Sequence, residues 1–166
     1  DASVESYDQL LSVTRINEDY AQRSGLHGGA RVAPYPEQDA AKSVAARAVL
    51  ALTGVRLATL LVLRLQQLSE SLTSNSLGRS KPIVLERIVV GQRLGMLLAD
   101  PRTRSSFRAA MDAELDRRVR AHARLVSLYL AGIDALGIDV CASTLRAAPA
   151  IGAAAAALIA WDRTHA

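Results

Sequence analysis

The sequence predicts an all-α protein, a helical bundle of about five helices with one long central helix and one long carboxy-terminal amphipathic helix. Three observations predict it. Among 166 residues there are 30 Ala and 24 Leu, while aromatic residues make up 4%; strong helix formers outweigh the β-branched and aromatic types that fill pleated sheets. Half of the chain is hydrophobic, enough for a buried core and too much for a disordered chain. From Phe107 to Leu136, apolar residues recur every three or four positions, the repeat of one helix face. The length suits a single helical domain over 1–166. It divides into an amino-terminal helix with a Gly/Pro-rich loop (1–36), a main bundle (37–136) and an Ala-rich closing segment (138–166).

The first helix is expected from Ser6 to about Arg23. Ser6-Tyr7-Asp8-Gln9 fits a capping box, and Tyr7, Leu10, Leu11 and Thr14 share one face. The Gly- and Pro-rich loop over 24–36 follows; Gly28-Gly29 lacks the spacing and the following Lys-Ser/Thr of a phosphate cradle. The second helix begins after Pro36 and runs to about Leu72. It is apolar nearly all round between Ala48 and Leu65, which marks it as central. Its polar positions Lys42, Thr53, Arg56, Arg64 and Gln67 fall within about 80° of one another at 100° per residue. That stripe is either a solvated edge or a pair of arginines, Arg56 and Arg64, holding an anion.

A loop over 74–81 leads to Pro82, well placed at a first helical position, and a third helix to about Leu98. Leu77-Gly78-Arg79-Ser80 followed by Val84 and Ile88 has the outline of a helix-turn-helix that would present Arg79, Lys81 and Arg87 to nucleic acid. A plain interhelical loop is the other reading of the segment. Asp100-Pro101 ends the third helix and starts the fourth, Asp as N-cap and Pro in the first turn.

The fourth helix is expected from Pro101 to about Leu136. Phe107, Met111, Leu115, Val119, His122, Val126, Tyr129, Ile133 and Leu136 form one seam, a strict a/d pattern from Leu115 onward. A rod of about 50 Å is longer than a small domain needs, so Leu115, Val119, Val126, Ile133 and Leu136 are expected at the interface of a homodimer. His122 is expected among apolar side chains, as a core histidine or, with Tyr129, a ligand contact. Glu114 with Arg118 and Asp116 with Arg120 are spaced for ion pairs, and the Arg-rich outer face reads as a solvated surface or a polyanion contact. Gly137 ends the helix. The closing Ala-rich helix reaches Trp161 and is expected against the body or a second subunit.

The single cysteine, Cys141, excludes a disulfide within the chain and a cysteine-cluster metal site, and it reads as a small buried thiol. His27, His122 and His165 are too scattered for a metal motif, and no serine is marked as an activated nucleophile. No cofactor, metal or catalytic residue is therefore expected. The net charge of +4 conceals an asymmetry, −4 over residues 1–40 and +8 over the rest, which leaves nucleic acid as a candidate partner. The acidic start carries no secretory signal, and the longest uncharged run, 147–161, is too short and too interrupted to span a membrane. A cytoplasmic protein without a membrane span is the expectation.

From Ile83 onward, the order of an apolar helix, the Asp100-Pro101 break, a long Arg/Glu-rich amphipathic helix, the Gly137-Ile138-Asp139 turn and an Ala-rich closing helix resembles the ligand-binding and dimerisation half of TetR-type transcriptional regulators. The resemblance covers about half the chain. It implies an all-helical domain dimerising around an apolar effector pocket, without the family's helix-turn-helix over residues 1–60. Three functions follow as expectations: a non-catalytic ligand-sensing or dimerisation domain, a small basic nucleic-acid-binding protein, or a helical enzyme holding a carboxylated small molecule through Arg56 and Arg64.

Overall fold

The computed structural model describes residues 7–25, 35–74, 87–122 and 139–143. Most of these are helical. In chain order they form α1 (Tyr7–Leu10), α2 (Val13–Arg23), α3 (Pro36–Asp39), α4 (Val44–Ser74), β1 (Arg87–Val90), α5 (Gln92–Ala99), a 3-10 turn (Pro101–Thr103), a π turn (Arg104–Arg108), α6 (Ala109–Arg120) and β2 (Asp139–Ala142).

Serine hydroxyls break the first two expected helices. Ser12 stands in extended backbone and its side chain accepts the Arg15 N–H at 3.2 Å, so α2 starts there and α1 is separate. Ser43 does the same for α4, accepting the Ala46 N–H at 3.2 Å after the turn that closes α3. A serine oxygen satisfies an amide that the first helical turn leaves without a partner. The proposed Ser6 cap lies outside the described residues.

The all-α expectation is corrected by a small parallel sheet. β1 pairs with β2, Arg87 opposite Asp139 through Val90 opposite Ala142. Among the described residues of the expected third helix, Arg87–Val90 are thus a strand and Gln92–Ala99, α5, are helical. Ile88-Val89-Val90 explains this, because three consecutive β-branched residues are stiff at χ1 and fit a pleated surface. Gly95 lets α5 lie on the strand ends: a Cβ there would collide with the Val90 carbonyl and come within 2.6 Å of the Ser143 carbonyl.

The expected single rod from Pro101 to Leu136 is also corrected. Asp100 caps as its place before Pro101 predicts, its carboxylate accepting the Arg102 N–H at 2.9 Å. The chain then passes through the 3-10 and π turns, and α6 stops at Arg120. Ala121 is the C-cap and the His122 N–H closes on the Val119 carbonyl at 3.0 Å.

α6 lies along α4. Phe107, Met111, Leu115 and Val119 are buried in one cluster with Leu50, Leu57, Ala58, Val62 and Leu65. The contact is close because Gly54 opposes the Phe107 backbone, where a Cβ would collide with the carbonyl. On another side Ala46 and Val49 of α4 meet Ile16 and Tyr20 of α2. One stretch of α4, Val44–Gln67, is long and apolar enough to cross a membrane, a feature that scanning for uncharged runs passes over, since Arg47, Arg56 and Arg64 interrupt it. Half of its most apolar window is buried inside the protein. A helix covered on more than one side by its own chain has this composition, because each covered face must be apolar.

Candidate functional site

The polar stripe of α4 is divided by its surroundings. Thr53 is fully buried and returns its hydroxyl to the Val49 carbonyl at 2.8 Å. Arg56, one turn on, reaches α2: its Nη1 donates to Asp19 Oδ2 at 2.6 Å and to the Leu10 carbonyl at 3.3 Å. Arg15 Nε lies 3.3 Å from the other Asp19 oxygen. The Arg56 and Asp19 side chains are only 15% and 10% exposed. Two guanidinium groups thus share one carboxylate across the α2–α4 contact. Arg64 is exposed and donates to Gln67 Oε1 at 3.1 Å. Eight helical residues separate the two arginines by about 12 Å along the axis, and Arg56 is occupied by a carboxylate of its own chain. The structure does not bring Arg56 and Arg64 together.

A second junction ties α5 to α2 and α3. Arg93, at the start of α5, donates through Nη2 to Glu37 Oε2 at 2.9 Å and to Asn17 Oδ1 at 3.1 Å. Its Nη1 lies 3.5 Å from the Val13 carbonyl, and its guanidinium carbon is 4.9 Å from the centre of the Tyr35 ring. Beside it the Tyr20 hydroxyl donates to Asp39 Oδ2 at 2.8 Å. Asn17, Asp19 and Tyr20 are all buried polar positions of α2, and between them they meet α3, α4 and α5. The available signal was the crowding of acids in residues 1–40 against a basic remainder. No local spacing identifies Arg93, because its partners lie 56 and 76 residues away.

His122 corrects its expected place on an apolar seam. With α6 ending at Arg120, the imidazole is exposed at the following turn and faces Gln66, whose Nε2 lies 2.9 Å from the ring Nε2. Leu115 and Val119, expected at a dimer interface, are buried against α4 of the same chain. Val126, Tyr129, Ile133 and Leu136 lie outside the described residues. So do Arg79 and Lys81; Arg87 opens β1 instead of standing on a reading helix. Cys141 is on β2, half-buried, its thiol 3.6 Å from the Ile88 carbonyl.

The arginines of the α6 region meet acids close by. Arg108 pairs with Asp112, Arg117 and Arg118 with Glu114, and Arg120 with Asp116, including both expected pairs at i,i+4. The hydrogen bond from Arg117, joined by that from Arg118, outweighs desolvation and holds the Glu114 carboxyl at about 2. Arg102 likewise lowers the Asp100 carboxyl below its ordinary value. Pairing of this kind leaves less unopposed charge for a polyanion than the arginine count suggests. Among the described residues no group of three His, Cys, Asp or Glu is placed to hold a metal ion. No protein-family model, curated protein or solved structure matches this chain.

Proposed function

We propose that this chain is a non-catalytic helical domain that senses a small ligand or dimerises. The observation that supports it is how the partly buried charged groups are used. Arg56 with Asp19, and Arg93 with Glu37 and Asn17, fasten α2, α3 and α5 around α4. Side chains committed to one another in this way hold a scaffold together. The enzyme reading needs Arg56 free for a substrate carboxylate, a place that Asp19 already fills. A role in transcription control rests on the resemblance to TetR-type regulators, which implies an apolar effector pocket and so an apolar small molecule; the anionic alternative rests on the arginines of α4 instead.

Because α4 covers Leu115 and Val119, a twofold contact through the seam falls to its later residues, Val126, Ile133 and Leu136. Light scattering at micromolar concentration should report twice the chain mass. Ile133→Arg should return the monomer mass with helicity retained, whereas Leu115→Ala should unfold part of the core. A wild-type monomer at every concentration removes dimerisation. Native mass spectrometry of protein purified from its own host tests the ligand half, which fails if only the bare chain mass is found.

A further inference from the structure

We draw no further inference here: the strongest candidate, the surface patch of Val13, Tyr35 and Met96 around Arg93 where α2, α3 and α5 meet, has nothing in the structure to show what covers it.

Discussion

Asp19 and Arg56 set the energetics at the scale of single residues. A carboxylate that is nearly covered and shared by two guanidinium groups is costly to leave alone: deleting one partner strands the other in a poorly solvated place. Arg56→Ala and Asp19→Ala should each destabilise the protein. Combined in a double-mutant cycle followed by urea unfolding, they should show a coupling of about 1–3 kcal/mol. A coupling near zero would mean that the contact contributes only shape. Glu114 makes a prediction of the opposite kind, about pH. Its folded value of about 2 lies below the ordinary 4.5, so the unfolded chain takes up the proton first. The resulting stability is complete above the ordinary value and is lost as pH falls through about 2. Unfolding midpoints measured at about pH 6 and about pH 2.5 should therefore differ less for Glu114→Gln than for the wild type, the variant losing less on acidification. Equal losses would show that the pairs with Arg117, which is exposed, and Arg118, which is partly buried, add nothing. These two acids differed in legibility. Glu114–Arg118 could be read from spacing alone, because a helix places i and i+4 side by side. Asp19–Arg56 could not, because only the folded chain brings α2 onto α4.

Close backbone approach decides how the elements pack. Gly54 allows α4 to touch the Phe107 carbonyl directly, so Gly54→Ala should push α6 outward and cost about 1–3 kcal/mol by overpacking. The urea midpoint should fall with the m-value unchanged; a constant midpoint would show that α6 yields freely. At the start of α5, Gln92 has a φ of +54°, a left-handed conformation that L side chains adopt at a cost of about 1–2 kcal/mol. Gln92→Gly should relieve part of this strain, offset by a more flexible unfolded chain, for a net gain below about 1 kcal/mol. A loss of thermal stability would contradict that assignment. A run such as Ile83 to Val90 is apolar enough for either period, and its β-branched content was the better guide. Ser12 and Ser43 cap α2 and α4 inside stretches that helical spacing reads as continuous. His122 continued the heptad on paper, and the helix had ended two residues earlier.

For the whole molecule, the division of charge acquires a use inside the chain. The acidic first forty residues supply Asp19 and Glu37, and the basic remainder answers with Arg56 and Arg93. The two parts of the sequence are therefore complementary to each other, and part of the excess that suggested a polyanion partner is consumed at their contact. The first part of the seam likewise finds its cover at home: Phe107, Met111, Leu115 and Val119 are buried against α4.

By itself the sequence determined the helical majority, the central place of the segment around Ala48 to Leu65, the Asp100 cap and the ion pairs along α6. All of these are local, set by propensity, periodicity and contacts within a turn or two. Tertiary structure decided which segment the β-branched run of Ile88 to Val90 would pair with, since a strand needs a partner and Val140 to Ala142 come from far along the chain. It decided too that Arg56 and Arg93 would serve as fasteners, because a charge takes its role from whatever the fold sets beside it, and that neighbour is not written in the residues next to it.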